Sequence, residues 1–182
     1  MDNETAMEFL KPALKNILEV YLKIMEDIDS EELIGALEVI MEKFSDDIGP
    51  FALQLATQLT SKYESLVSQE NDDEDDGVEE RILAAAGCVA AIRRIIEASS
   101  KDKNMLAQLF PIIYSVIVHS LTPEGLDAID EGLDCVNIFI YYGCDPQTRV
   151  PIECWKLLPQ MMFMVAGEDN DVDGGIAMEF LQ

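Results

Sequence analysis

The sequence predicts an all-α protein, an α-solenoid of about four antiparallel helix pairs. Three observations predict it. Leu, Ile, Ala, Met and Val recur at helical spacing through residues 10–67 and 78–166. Proline, glycine and capping residues punctuate these stretches. The helix pairs begin near Pro12, Pro50, Lys103 and Ile152, about 38, 53 and 49 residues apart.

The first helix opens at Pro12, where a first turn tolerates the missing N–H. Leu14, Ile17, Leu18, Tyr21, Met25 and Ile28 form its apolar stripe, with Lys15, Asn16, Glu19, Lys23 and Glu26 opposite. Asp29-Ser30-Glu31-Glu32 caps a second helix, with Leu33, Ala36, Leu37, Ile40 and Phe44 as its stripe. So short a connection sets the two helices antiparallel. Ser45 through Pro50 breaks the chain and starts a third helix, carrying Ala52, Leu55, Ala56, Leu59, Tyr63 and Leu66 on one face.

A fourth helix is expected from about Val78 to Ala98. Ala84-Ala85-Ala86-Gly87 lets a neighbour approach, and Arg93, Arg94 and Glu97 mark a wet face. Ser100 to Lys103 is a polar connector. Met105 to Val118 reads as a buried helix kinked at Pro111, with a strand as the alternative because of its β-branched residues. Thr122-Pro123-Glu124 starts the next helix, with Thr122 as cap. Its inward face is Leu126, Ile129, Leu133, Val136 and Ile140; Asp127, Asp130, Glu131 and Asp134 face out, and Gly143 closes it. Another helix is expected over 153–165, with Trp155, Leu158 and Met162 in its stripe, and an eighth begins at Ile176 and stops uncapped, as in a truncated chain.

The pairs thus fall at about 5–45, 48–99, 102–143 and 148–182. Roughly ten residues of the second pair are an insertion; without them its period falls in the low forties, that of HEAT-type arrays. A closed helical bundle is the alternative arrangement. The insertion is Glu70-Asn71-Asp72-Asp73-Glu74-Asp75-Asp76-Gly77, an acidic loop over 69–77 with no apolar residue to bury.

Charge narrows the partners. The 182 residues carry 36 acids against 12 bases, a net charge of −24. Nucleic acid and anionic membranes would be repelled, and basic proteins attracted. The candidate partner-binding residues are Glu70, Asp72, Asp73, Glu74, Asp75, Asp76 and, beside them, Glu79. A surface loop that merely solvates is the alternative. The longest apolar run, Ile82 to Ile92, has eleven residues, short of a membrane span. The four cysteines lack C-x-x-C spacing, and reduced buried thiols are expected.

Nothing points to catalysis. Nucleotide-binding and nucleophile-elbow motifs are absent from the sequence. His119, the sole imidazole, reads as a helix-end or core residue, and Ser120 beside it points elsewhere on a helix. No catalytic residue, cofactor or metal site is assigned. Asp169-Asn170-Asp171-Val172-Asp173-Gly174 matches the front of an EF-hand loop, but position 12 is Phe180 instead of a bidentate glutamate. An acidic inter-helix turn is the simpler reading.

With the helices in order, the chain resembles the importin-β (karyopherin-β) family, most like the branch containing importins seven and eight. Four stretches carry the resemblance: Asp29-Ser30-Glu31-Glu32-Leu33; Tyr63-Glu64-Ser65-Leu66-Val67 running into the acidic break; Asp127 through Phe139; and Cys154-Trp155-Lys156-Leu157-Leu158-Pro159-Gln160-Met161. It implies a middle segment of a larger HEAT-repeat nuclear transport receptor, shuttling between cytoplasm and nucleus through the pores. It also implies basic cargo, such as ribosomal proteins or histones. Ran-GTP and nucleoporin FG repeats are expected partners of the full-length protein. A HEAT scaffold unrelated to transport is the alternative function.

Overall fold

The computed structural model describes residues 8–28, 31–68, 77–143, 154–159 and 162. Among them every regular element is helical. α1 (Leu14–Asp27) follows a 3-10 turn, Lys11–Ala13, with Pro12 inside it. α2 is Glu31–Lys43. Two 3-10 turns, Ser45–Asp47 and Gly49–Phe51, lead to α3, Ala52–Ser68. α4 is Val78–Ala98 and α5 is Lys103–Ser120. A 3-10 stretch, Pro123–Ala128, leads to α6, Ile129–Ile138, which ends in a π-helical turn, Phe139–Gly143. Residues 154–159 are helical again.

The six helices form three antiparallel pairs. In the first, the Tyr21 hydroxyl donates to the Leu33 carbonyl at 2.6 Å, while Lys11 and Asp47 pair at 3.1 Å at the far ends. α3 and α4 make the second pair, with Leu66 and Val67 near Val78 and Ile82. In the third, Phe110 meets Phe139 edge to face at 4.9 Å between ring centroids, and Gly132 lies against Ser120. The pairs then stack in two layers. α1, α3 and α5 pack in sequence in one layer, and α2, α4 and α6 in the other. Within a layer the helices run parallel: Ile34 meets Gly87 and Glu38 meets Arg94, so α2 and α4 advance together. This is the stacking of an α-solenoid.

One continuous core results, with Leu18, Leu37, Leu55, Leu59, Ile92, Ile95, Leu106 and Leu109 fully buried. Every residue of the expected α3 stripe is buried. Asp102 caps α5, its carboxylate accepting from the Asn104 and Met105 N–H groups at 2.9 and 3.1 Å. α5 runs unbroken as an α-helix through Pro111, which sits on its exposed side, so Met105–Val118 forms no strand.

Several expected faces are corrected. Ala36 is exposed, and the buried face of α2 is Ile34, Leu37 and Met41, with Phe44 buried just after the helix. Ile28 is exposed as well. Of the expected wet face Glu97 is exposed, whereas Arg93 and Arg94 are half-buried. Arg94 Nε donates to Glu38 across the layer at 3.2 Å, and Arg93 Nη1 lies 3.6 Å from Glu97. Both stems are largely covered because stacked neighbours flank α4 on both sides. Thr122 stands at the N-cap of the 3-10 stretch with Pro123 at its first position, but its side chain makes no capping hydrogen bond: the hydroxyl donates to the His119 carbonyl at 2.7 Å, and α6 starts only at Ile129. Near the end, Cys154 and Leu157 are buried while Trp155 and Met162 are exposed. The eighth helix lies outside the described residues, as does most of the fourth pair.

Candidate functional site

Antiparallel pairing places the turns within pairs along one edge and the connections between pairs along the other. The α3–α4 connection and the 121–128 turn therefore share an edge. Of the candidate acidic residues, Glu70, Asp72, Asp73, Glu74, Asp75 and Asp76 lie outside the described residues. Glu79 is exposed on the first turn of α4, next to exposed Glu80. Carboxylates there are favoured by the positive end of the helix dipole.

Between the two turns lies a cleft of about 300 Å³. α3 and α4 contribute Leu66, Val67, Val78, Ile82 and Ala85 to its lining, all apolar. Arg81, Glu124 and Asp127 are polar members, and Tyr63 and His119 also line it. Glu124 and Asp127 are exposed. The Glu124 carboxyl is held below the usual carboxylate range, chiefly by its own backbone N–H and then by Thr122. The Thr122 hydroxyl has one hydrogen, and its 2.7 Å contact with the His119 carbonyl claims it, so the backbone N–H is the donor that matters.

Tyr63 and His119 close the cleft's inner side. The tyrosine hydroxyl lies 2.7 Å from His119 Nδ1, and the rings meet edge to face at 5.6 Å. Burial pushes the Tyr63 hydroxyl up to about 12, with Cys88 a lesser cause, so it is a neutral phenol at physiological pH. His119 is thus committed to a structural hydrogen bond. Ser120 points away, its hydroxyl donating to the Ile117 carbonyl at 2.9 Å. Among the described residues no cluster of His, Cys, Asp and Glu could hold a metal ion. Asp169–Gly174 lies outside them. Cys88, Cys135 and Cys154 are buried thiols, and burial pushes the Cys135 thiol well up. Among the described residues no single helix is long and apolar enough to cross a membrane.

The arrangement offers an apolar recess with a carboxylate rim, suited to holding a partner. Sequence reasoning missed this recess together with Glu124, Asp127 and the Tyr63–His119 pair. Thr122-Pro123 does mark the turn in the sequence, but nothing local shows that it lies beside the acidic insertion.

Two curated proteins are similar to the chain. One is an importin beta-like SAD2 homolog from Arabidopsis thaliana, 31% identical over 157 residues, which are 86% of this chain and 15% of that protein. The other is a probable importin-7 homolog from Dictyostelium discoideum, 26% identical over 153 residues, 84% of this chain and 14% of that protein. The chain therefore spans about one-seventh of the length of these relatives. No family model matches it, and no solved structure does.

Proposed function

We propose, on the premise of a sequence relationship to the importin-β family over most of this chain, that it is a HEAT-repeat segment of a nuclear transport receptor and binds basic cargo. The observation that carries this reading is the alignment of 84–86% of the chain with two importin relatives. Charge supplies the sign of the cargo: a net −24 chain with six carboxylates between Glu70 and Asp76 attracts Lys/Arg-rich segments and speeds their encounter. Ribosomal proteins and histones are cargo of that chemistry. The mechanism is binding, and no catalytic step is assigned. The full-length protein would engage Ran-GTP and nucleoporin FG repeats and shuttle between cytoplasm and nucleus. The HEAT pairs would extend over residues 1–182, with Glu70, Asp72, Asp73, Glu74, Asp75, Asp76 and Glu79 as the electrostatic lure.

Two experiments test this. Pull-down of the full-length protein with Ran-GTP and FG repeats should capture both; failure of both leaves a HEAT scaffold unrelated to transport. Replacing residues 72–76 by Gly/Ser should weaken binding to a Lys/Arg-rich cargo tail. The loss should be larger at low salt than at 0.5 M, where the Debye length is about 4 Å. Unchanged affinity at low salt would reduce the acidic segment to a solvating loop.

A further inference from the structure

The geometry points to the cleft between α3, α4 and the 121–128 turn as a socket for one bulky aliphatic side chain, carried on a Lys/Arg-rich segment of a partner protein. The inference rests on the basic-cargo reading and gives it a physical anchor. Long-range charge attraction alone concentrates a basic segment without fixing it; a fixed complex needs a contact that buries apolar area.

Size restricts the occupant. About 300 Å³ is the low end for a ligand pocket, enough for one or two large side chains. Chemistry restricts it further. Val67 and Ile82 line the cleft and are exposed to water. Covering them with an aliphatic group removes apolar surface from water on both sides.

Charge selects what flanks that group. Glu124 and Asp127 belong to the cleft, and Glu79 and Glu80, outside its lining, are exposed on the first turn of α4. Against the two carboxylates of the lining stand one guanidinium, Arg81, and the histidine whose Nδ1 contacts Tyr63, and the two further carboxylates on α4 tip the local balance negative. An acidic flank would be repelled, and a basic one would gain ion pairs.

The test titrates the 182-residue chain into a fluorescein-labelled peptide of Lys-Ser repeats around a single Leu, reading polarisation at low salt. Changing that Leu to Ser should weaken binding about tenfold. Ile82→Ser should weaken the Leu peptide by a similar factor and leave the Ser peptide unchanged. Glu124→Gln with Asp127→Asn should weaken both peptides several-fold, in a salt-dependent way. Ile82, Glu124 and Asp127 are all exposed, so these variants should keep the wild-type circular dichroism and melting curve. Equal affinity for the Leu and Ser peptides would overturn the socket while leaving charge-driven cargo binding standing. Equal affinity for an uncharged Leu peptide would overturn both the basic flank and the basic-cargo reading. No binding by any peptide would do the same.

Discussion

The Tyr63 hydroxyl lies 2.7 Å from His119 Nδ1, joining residues 56 positions apart on neighbouring parallel helices. Tyr63 is 2% exposed, so its hydrogen-bonding atom has no ready access to water as a substitute. The pair pins α3 to α5 beside the cleft, and its loss has two measurable consequences.

Tyr63→Phe should destabilise the protein by about 1 kcal/mol at neutral pH, the net worth of one hydrogen bond. The variant should also change the alkaline limb. The folded-state value of Tyr63 is raised to about 12 from an unfolded value of 10. Its contribution is therefore fully present below pH 10 and is lost as the pH rises to about 12, because the unfolded chain ionises first. Urea melts from pH 9 to 12 should show a steeper loss for wild type than for Tyr63→Phe. Identical slopes would mean that the phenol gains nothing from burial.

Two helix-interior glycines should respond in opposite ways. A Cβ on Gly35 meets nothing within 4 Å, so Gly35→Ala should gain helix propensity and stabilise by about 0.5–1 kcal/mol. A Cβ on Gly87 would come 2.9 Å from the Ile34 Cγ2 methyl, which belongs to a stiff β-branched side chain in the next pair. Gly87→Val should destabilise by about 2 kcal/mol through overpacking. Thermal melts of the two variants would settle it, and a stable Gly87→Val would show that α2 and α4 can separate freely.

Asp102→Ala removes two charge-assisted bonds at the start of α5. It should cost about 1 kcal/mol, and Asp102→Asn should recover much of that. Chemical denaturation reads both.

α1 carries a second apolar stripe. Val20 and Ile24 are exposed along it, with exposed Leu10 ahead of the helix and Ile28 just after it, while Leu14, Leu18, Leu22 and Met25 face the core. In a solenoid such a face is covered by a neighbouring unit. The isolated chain should therefore associate weakly as concentration rises, and Val20→Lys with Ile24→Lys should suppress it. Light scattering that shows a strict monomer at high concentration would remove this expectation.

The acidic segment should be dispensable for stability even where it matters for binding. Lengthening a flexible connection costs only about 0.6 kcal/mol per doubling. Gly/Ser in place of residues 72–76 should leave the melting temperature nearly unchanged, and a large drop would assign the carboxylates a structural role.

Helices, their order and most of their faces could be read from the sequence alone, because a 3.6-residue period is a local property. The complete α3 stripe, Ala52 to Leu66, is the clearest case. The net charge of −24, and with it the expected sign of a partner, is likewise a property of composition. What the layers do to α4 was not legible: Arg93 and Arg94 read as a solvated pair until α2 and α6 flank them. The same holds for Thr122, which has the residue type of a cap but whose hydroxyl turns back to the His119 carbonyl. The cleft was least legible of all. It exists because parallel stacking brings His119 to Tyr63 and sets Glu124 and Asp127 beside Val67 and Ile82, and the spacing of residues along one helix says nothing about the distance to the next.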